Sequence, residues 1–475
     1  MGNDTAVVKL SSLVRVKGGK RLPKGTNLQV QKNAHPYIRV RDMGEMFIPT
    51  ENLEYVPDEV FPAIKNYIVN KDDILISIVG TIGLISIVDD NHHLSSQTEN
   101  CAKLHGLNGL DVYYLYYYLT SNYGQEEIKR GTVGAVQAKL PLYAIENIDV
   151  IWPEKERRRS IALLLKSIDD KIHINRQINQ TLTQMAQTLF NSWFVDFDPV
   201  IDNALDAGFF ELDLGFSDEL LRRVETRKAL RASSSNFEKN KPLPDAIRQL
   251  FPSAFESSDL GWIPKGWEAL PLSDVCSLIT DGAHTSPTSI NDGGYPMASV
   301  KDMHSLGFDL NSCRRISEED YLKLVASNCK PQKGDILIAK DGSYLKHVFT
   351  LLNDIDIVIL SSIAILRPNE KTSPYFLSLG LKQPNILKRM ENYVSGAVIQ
   401  RIILKDFKKF PIIVAPYNIQ EYFDKKVELI FERCASNLTE IDVLEKLRGI
   451  LLPKLISGEL CLDNIAANFA KEEVV

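Results

Sequence analysis

The sequence predicts an α+β fold, in which two similar domains of mixed helix and strand are separated by two long helices that form an antiparallel coiled coil. Two observations predict this fold: short segments recur at a nearly constant offset, and a seven-residue apolar period occurs twice. Together they indicate an internal repeat with pseudo-two-fold symmetry. The 475 residues, 44% hydrophobic and 24% charged, suffice for about three globular units. This composition excludes collagen-like, disordered and disulfide-scaffold proteins.

Five short segments return in the same order further along the chain. One match of this kind is weak, but five at nearly one offset are strong evidence of a duplicated unit. The matches and their offsets are Val40-Arg41-Asp42-Met43 with Val300-Lys301-Asp302-Met303 (260), residues 71–76 with 333–338 (262), Leu94-Ser95-Ser96 with Leu360-Ser361-Ser362 (266), residues 134–137 with 396–400 (262), and Pro153 with Pro416 (263).

Each repeat opens with a part that is rich in turns and short apolar runs. The runs at 74–79, 84–88 and 335–339 are bounded by Gly, Asp and Asn, which predicts strands. Helices are predicted around 113–119 and 375–381. Each domain is therefore expected to mix strands with helices.

Each repeat closes with a long helix that carries a heptad stripe. The first stripe is Ile161, Ile168, Asn175, Leu182 and Leu189, with companions Leu164, Ile178 and Met185; the second is Phe423, Ile430, Asn437, Leu444 and Leu451, with companions Val427, Cys434 and Ile441. A polar residue at a helix seam costs stability but fixes the register, and Asn stands third in both stripes. We therefore expect the helices to pair with each other, with Asn175 facing Asn437. The alternative is two amphipathic helices that each pack on their own domain.

An antiparallel helix pair of this kind suits duplex DNA. A helix of about 33 residues is roughly 50 Å long, and successive major-groove faces of DNA lie about 34 Å apart. Two unlike domains on such a spacer would read an asymmetric target that is split by an unread gap. Lys and Arg contact phosphates, and Gln can read adenine; the alternative for each residue is an ordinary solvated surface position. The candidate DNA-binding residues are Lys17, Lys20, Arg21, Lys24, Arg39, Arg41, Thr81, Gln137, Lys301, Lys340, Ser343, Tyr344, Lys346, Gln400 and Arg401.

Charge and cysteine usage limit the classes further. A net charge of −6 excludes a uniformly basic coat for nucleic acid, although it allows local basic patches. The six cysteines are scattered without a C-x-x-C pair, which argues against a zinc knuckle or a redox pair. The first residues lack a signal-peptide pattern, and no run of 18 apolar residues occurs. We therefore expect a soluble, reduced, cytoplasmic protein.

The motifs of common catalytic sites are absent from the sequence. It contains no G-x-G, no Walker A loop, no Pro-Pro pair, no H-E-x-x-H and no G-x-S-x-G. Two weak candidates remain. His92, His93, Cys101 and His105 cluster without the spacing of a known metal site, and Asp111 with Glu127 and Lys129 resembles a nuclease pattern. We therefore predict no metal site, no catalytic residue and no cofactor on this chain.

Segments in both helical regions and before the second domain resemble the specificity subunits of type I restriction-modification enzymes. The segments are residues 153–157 (Pro-Glu-Lys-Glu-Arg), 168–172 (Ile-Asp-Asp-Lys-Ile), 175–179 (Asn-Arg-Gln-Ile-Asn), 189–199 (Leu-Phe-Asn-Ser-Trp-Phe-Val-Asp-Phe-Asp-Pro), 250–252 (Leu-Phe-Pro), 260–267 (Leu-Gly-Trp-Ile-Pro-Lys-Gly-Trp) and 451–460 (Leu-Leu-Pro-Lys-Leu-Ile-Ser-Gly-Glu-Leu). The resemblance covers nearly the whole chain. One departure is that the Gly-Trp-Ile-Pro lead-in has no counterpart before the first domain.

The resemblance implies a non-catalytic subunit whose two target-recognition domains read the halves of a bipartite DNA site. It also implies two modification subunits, which carry S-adenosylmethionine and methylate adenine at N6, and two restriction subunits, which use ATP and Mg²⁺. Competing hypotheses are a nuclease built on Asp111 and an assembly scaffold that reads no bases. The expected boundaries are 1–152 and 260–415 for the recognition domains, 153–198 and 416–462 for the helical regions, 199–259 for a connector with a helix near 218–230, and 463–475 for a tail.

Overall fold

A computed structural model describes residues 5–44, 46–134, 138–212, 214–232, 243–342, 347–396, 400–460 and 462. The chain divides into two units: the first runs to Asn175 and resumes at Thr439, and the second comprises Arg176–Leu438. None of the helices in these described ranges combines the length and apolar character needed to cross a membrane.

The first unit contains nine described strands and the first four helices, the last of which continues into the second unit. The strands are β1 (Thr5–Lys9), β2 (Arg15–Gly18), β3 (Pro36–Ile38), β4 (Glu54–Tyr55), β5 (Ile74–Ser77), β6 (Ile85–Ile87), β7 (Ser96–Gln97), β8 (Cys101–His105) and β9 (Asp149–Pro153). The helices are α1 (Leu110–Thr120), α2 (Asn122–Gly131), α3 (Leu142–Glu146) and α4 (Lys155–Phe190).

The second unit holds the remaining described elements, and its last helix returns to the first unit. Its strands are β10 (Phe255–Ser258), β11 (Gly261–Pro264), β12 (Glu268–Pro271), β13 (Cys276–Asp281), β14 (Tyr295–Ala298), β15 (Arg314–Ile316), β16 (Ile336–Ala339), β17 (Val348–Thr350), β18 (Val358–Ile359), β19 (Ile363–Pro368), β20 (Val394–Ser395), β21 (Arg401–Ile402) and β22 (Pro411–Val414). Its helices are α5 (Asp198–Asp206), α6 (Asp218–Ala232), α7 (Asp245–Arg248), α8 (Leu272–Val275), α9 (Glu318–Ala326), α10 (Pro374–Leu381), α11 (Pro384–Met390), α12 (Leu404–Phe407) and α13 (Tyr417–Ser457).

The two units share one sheet topology. The first has sheets ordered β2-β8-β5-β6, β4-β3-β7 and β1-β9, and the second has β13-β19-β16-β17, β15-β14-β18 and β12-β22 in the same arrangement. The parallel pairing also repeats, in β3–β7 and in β14–β18. This topology confirms the predicted internal repeat. The β10–β11 hairpin holds the Gly-Trp-Ile-Pro lead-in and lacks a counterpart among the described strands of the first unit.

Two of the repeated sequence motifs form turns beside strands: one precedes β5 and β16, and the other follows β3 and β14. Asp73 and Asp335 are both buried, and each accepts a 2.8 Å hydrogen bond from a backbone N–H three residues earlier. In the same way Asp42 and Asp302 each accept a 2.8 Å hydrogen bond from the backbone N–H three residues earlier. A carboxylate fits these positions because it satisfies backbone donors that the turn leaves unpaired.

One of the five sequence matches is wrong. Strand pairing places Ile38 beside Gln97 in the first unit and Ala298 beside Ile359 in the second, so the offset here is 262. The Leu-Ser-Ser at 94–96 therefore does not correspond to the Leu-Ser-Ser at 360–362, as the offset of 266 had suggested. Backbone pairing fixes the register, whereas three common residue types recur by chance.

Each unit has its own hydrophobic core, and the second unit also contains an aromatic cluster. The core of the first unit is largely aliphatic, built on β5, β6 and α1, and it includes Leu455 and Ile456 from the end of α13, both fully buried. The corresponding core of the second unit, on β16, β17 and α10, is also largely aliphatic. A separate cluster of that unit centres on aromatic rings, among them Phe190, Trp193 and Phe423, where α4 ends in one turn of π-helix over 191–195. Burying a side chain of this size contributes about 1.5–3 kcal/mol.

Within each unit, the segments of α4 and α13 run in opposite directions. In the first unit Asp169 forms an ion pair with Arg448, and Asn175 donates a 2.8 Å hydrogen bond to Glu440. In the second unit Asn437 Nδ2 donates a 2.8 Å hydrogen bond to Asn179 Oδ1, and the rings of Phe190 and Phe423 lie 5.9 Å apart. These contacts favour mutual pairing over separate packing. Asn175 and Asn437 belong to different units, so their direct pairing stays a prediction.

All ten residues of the two predicted stripes are buried or half-buried, as are the predicted companions Leu164 and Ile178, but the companion Met185 is wrong. Met185 is 56% exposed, whereas the buried companions lie four residues after each stripe position rather than three. These companions are Leu165, Ile172, Asn179 and Ala186. The first three match Val427, Cys434 and Ile441 at the offset of 262. Sequence reasoning missed this fully buried row because it contains an asparagine, Asn179, whereas apolar residues occupy the three-residue spacing.

Candidate nucleic-acid interface

In the first unit, two turns lie side by side at the end of β5. Leu140 N donates a 3.0 Å hydrogen bond to Ile78 O, and Val79 bridges Lys139. The glycine turn at 80–83 follows directly, with both glycines at positive φ, where a side chain would be strained. The structure thus brings Thr81, which is exposed, next to the segment that leads to the predicted Gln137; Gln137 itself lies outside the described residues.

The second unit repeats this juxtaposition at the end of β16. Ile402 N donates a 3.0 Å hydrogen bond to Lys340 O, Gly342 N donates a 2.8 Å hydrogen bond to Gln400 O, and Asp341 bridges Arg401. Gln400 and Arg401 are exposed. Three predicted residues of the neighbouring turn, Ser343, Tyr344 and Lys346, lie outside the described part of the chain.

A third backbone segment is held close to these turns by a glycine in each unit. Gly19 N donates to Cys101 O at 3.1 Å, and Gly282 N donates to Ile363 O at 3.2 Å. A Cβ atom would lie 2.0 Å from Thr98 O at the first glycine and 2.1 Å from Ile359 O at the second. No side chain fits at this distance, so both positions require glycine.

The predicted cations of the first unit fall into two groups. Lys17, Lys20 and Lys24 are exposed, and the Lys20 ammonium lies 5.7 Å from the centre of the Tyr67 ring. The arginines already have carboxylate partners. Arg21 pairs with Glu99, and Arg39 and Arg41 both pair with Glu54. The net positive charge of this surface therefore comes mainly from the lysines.

In the second unit, the expectation for Lys340 needs correction. Its side chain is buried, with the residue 8% exposed, and its ammonium lies 2.9 Å from Asp281 and 3.6 Å from Asp341. A buried charge stays paired, because breaking the pair leaves the partner uncompensated. Lys340 therefore organises the turn, whereas Lys301 and Arg401 are exposed.

Sequence reasoning missed one residue of this surface. Lys139 is exposed and occupies the position of Arg401 in the other unit, since both residues bridge the residue after the matched strand end. Applying the offset of 262 to each basic residue of the second unit would have found it.

The weak metal and nuclease candidates have structural roles. His92 Nδ1 lies 2.6 Å from the Asp89 carboxylate, and burial raises the pKa of the Cys101 thiol to about 12. Asp111 receives two hydrogen bonds from Arg158, at 3.1 and 3.2 Å, and Glu127 pairs with an arginine one turn away. Among the described residues, no group of His, Cys, Asp and Glu is arranged to hold a metal ion. Neither set converges on a site.

Comparison with known proteins identifies the family. The profile of the type I restriction modification DNA specificity domain matches residues 3–184 and 264–432, which together make up most of the chain. The chain belongs to this family. Its two matched regions cover the two repeats, and family members are non-catalytic subunits that give the enzyme its DNA sequence specificity.

Several known proteins are similar to this chain. The HindI specificity subunit of Haemophilus influenzae is 29% identical over 347 residues, 67% of this chain and 70% of that protein. The MjaIX specificity subunit of Methanocaldococcus jannaschii is 24% identical over 477 residues, 97% of this chain and 95% of that protein. A crystal structure of the S subunit of a type I restriction-modification system from M. genitalium is 15% identical, with a TM-score of 0.49 and 96% of each chain covered.

Proposed function

We propose that the two recognition domains, residues 1–152 and 260–415, read the two halves of one asymmetric bipartite DNA site. The observation that carries this proposal is a shared backbone frame with unlike side chains at equivalent turn positions. Ile78, Val79 and Lys139 of the first unit correspond to Lys340, Asp341 and Arg401 of the second. Because base reading depends on side chains that reach the groove, the two frames would read different bases.

The helical regions, 153–198 and 416–462, would act as an antiparallel coiled coil that sets the gap between the half-sites. The opposite directions of α4 and α13 within each unit support this role, as do the ten stripe residues, which are all buried or half-buried. A spacer with pseudo-two-fold symmetry would match the two-fold symmetry of the DNA backbone.

The helices would also bind the catalytic partners: two modification subunits with S-adenosylmethionine for methylation of adenine at N6, and two restriction subunits with ATP and Mg²⁺. Exposed apolar side chains on both helices support a partner-binding role, since such side chains mark interaction surfaces. They are Leu163, Ile174, Leu429, Val443 and Ile450. We place the complex in the cytoplasm, because the five described cysteines are all buried free thiols.

The test is a domain exchange followed by methylation sequencing. The chain is expressed with its modification subunits, and methylated adenines are mapped in the host genome. Replacing residues 1–152 with the same domain of a relative should change one half of the methylated motif and leave the other half intact. Replacing residues 260–415 is the matched control and should change the opposite half. An unchanged motif after both exchanges would establish the assembly-scaffold alternative instead.

A further inference from the structure

We propose that Arg401 reads a guanine in the half-site of the second unit, and that Lys139, its counterpart in the first unit, contacts a backbone phosphate. This inference rests on the proposed function and assigns different tasks to two matched cations. It follows from the groups that surround each of them.

Arg401 is held in a way that leaves its terminal nitrogens available. It is 61% exposed, and its closest ion-pair contact runs from Nε to Asp341 Oδ2 at 3.7 Å. Within the described residues, neither Nη atom of Arg401 takes part in a hydrogen bond. A guanidinium anchored at Nε presents its two Nη groups together. Guanine offers two acceptors, O6 and N7, on its major-groove edge, and arginine is the side chain that pairs with both.

The carboxylate that pairs with Arg401 is itself largely buried among alternating charges. Asp341 Oδ1 lies 3.6 Å from the ammonium nitrogen of Lys340. The same ammonium lies 2.9 Å from Asp281 Oδ2. The other oxygen of Asp281 lies 3.1 Å from His284 Nε2. The side chains of Lys340, Asp341 and Asp281 are all less than one-fifth exposed. The contacts of Asp341 with Lys340 and Arg401 are ion pairs longer than a hydrogen bond, and Asp341 Oδ1 is buried without a hydrogen-bond partner among the described residues. Burial and the neighbouring charges, rather than a hydrogen bond, restrict the conformations of Asp341 before DNA binds. Arg401 is thus preorganised, which lowers the entropic cost of forming a specific contact.

The first unit has none of these supporting charges at the matched positions. Gly18, Ile78 and Val79 stand where the second unit has Asp281, Lys340 and Asp341. Lys139 is exposed, and among the described residues no carboxylate lies within 4 Å of its ammonium. The lysine ammonium is a hydrated point charge on a flexible side chain. It suits a backbone phosphate, because phosphate binding depends on positive charge and tolerates many hydrogen-bond geometries.

The experiment selects bound sequences from a random duplex DNA library, using the full-length chain purified with its modification subunits. Arg401→Lys keeps the positive charge but removes the pair of Nη donors that can bind guanine O6 and N7 together. It should lower the preference for one guanine, in one half-site, by roughly 5- to 150-fold. Asp341→Asn should lower the preference at that same base by a smaller factor. Preferences at all other positions should match those of the unmodified complex.

Lys139→Ala is the contrasting variant and Lys139→Arg its control. The alanine variant should weaken binding of all sequences alike and reduce the slope of log affinity against log salt by about 1. The arginine variant should restore the slope without creating a new base preference. An unchanged guanine preference in Arg401→Lys, or a single-base change in Lys139→Ala, would overturn the inference. If the unmodified complex selects no sequence at all, the proposed function fails instead.

Discussion

At the scale of single residues, the two units depend on matched glycines where β2 and β13 end. A Cβ atom at Gly19 or Gly282 would lie about 2 Å from a carbonyl oxygen. Gly19→Ala and Gly282→Ala should therefore each lower the free energy of unfolding by about 1–3 kcal/mol, because the backbone must shift to admit the methyl group. Thermal unfolding of each variant measures this loss.

Gly449→Ala is the control for the glycine variants. Gly449 lies on α13, and a methyl group added there would have no heavy atom within 4 Å outside its own stretch of helix. The same substitution there should raise the stability by about 0.5–1 kcal/mol, since alanine favours the helix. Equal losses at all three glycines would contradict the close-approach argument.

Asp424 on α13 makes the second unit sensitive to pH. Burial raises the pKa of its carboxyl to about 7, nearby Glu428 adds to the rise, and a 2.8 Å hydrogen bond from Ser373 opposes it. The folded state therefore holds a proton that the unfolded state releases at the ordinary pKa of aspartic acid, near 4. The contribution of Asp424 to the free energy of unfolding should be greatest below about pH 4. It should be lost as the pH rises from about 4 to about 7.

Asp424→Asn should remove this loss, because asparagine is neutral at every pH in the range. The measurement is the protection of the α10 amides against hydrogen exchange at pH 5 and at pH 8. The wild-type protein should lose protection between pH 5 and pH 8, and Asp424→Asn should keep it. Ser373→Ala removes the hydrogen bond that lowers the pKa of Asp424, so that pKa should rise further. The pH-dependent loss of stability in this variant should therefore extend to higher pH than in the wild-type protein. A variant that follows the wild-type pH profile would show that another group is responsible.

At the scale of elements, a pair of buried asparagines joins α4 to α13 in the second unit. Asn437 Nδ2 donates to Asn179 Oδ1, while Asn437 Oδ1 is buried without a partner in the described structure. Asn437→Leu or Asn179→Leu alone should cost about 1–3 kcal/mol, since each leaves a buried polar group unsatisfied. The double variant should recover that loss. Chemical denaturation of the wild type, the two single variants and the double variant gives the coupling free energy between Asn179 and Asn437. Losses of stability that simply add in the double variant would show that the two side chains are not coupled.

The elements could be predicted where one physical pattern dominated. The heptad stripes predicted both long helices, and the apolar runs predicted β5, β6 and β16, because packing sets these periods. The fully buried row beside the α4 stripe could not be predicted, since Asn179 is a polar residue that the fold buries. Likewise, the Leu-Ser-Ser match failed because only strand pairing shows that Gln97 lies opposite Ile38.

The candidate site was less accessible from sequence than the fold. The sequence identified cations but not their partners, which lie far away in the chain: Glu99 for Arg21 and Asp281 for Lys340. Ion pairs of this kind decide which charges would be available to DNA under the proposed function, and they depend on loop conformation rather than on a sequence period. The repeat was the best available guide, because it links Lys139 to Arg401 by position alone.

At the scale of the whole molecule, the proposed spacer can be shortened in register. Deleting residues 172–178 from α4 and 438–444 from α13 removes one heptad, about 10 Å, from each helix while changing the helical phase by only about 20°. If the helices set the gap, the methylated motif should lose roughly three base pairs between its halves. Methylation sequencing reads this directly. Inserting one heptad at the same places should widen the gap, and an unchanged gap in both variants would refute the spacer role.

The way α13 ends also constrains how the chain is made. Leu455 and Ile456 are fully buried in the core of the first unit, together with residues synthesised near the N-terminus. During translation, residues 176–438 must emerge before that core can close, which takes roughly 10 to 50 s at ordinary elongation rates. The unit that is made first is therefore completed last, and until then the ribosome carries an unfinished hydrophobic surface that chaperones would have to shield.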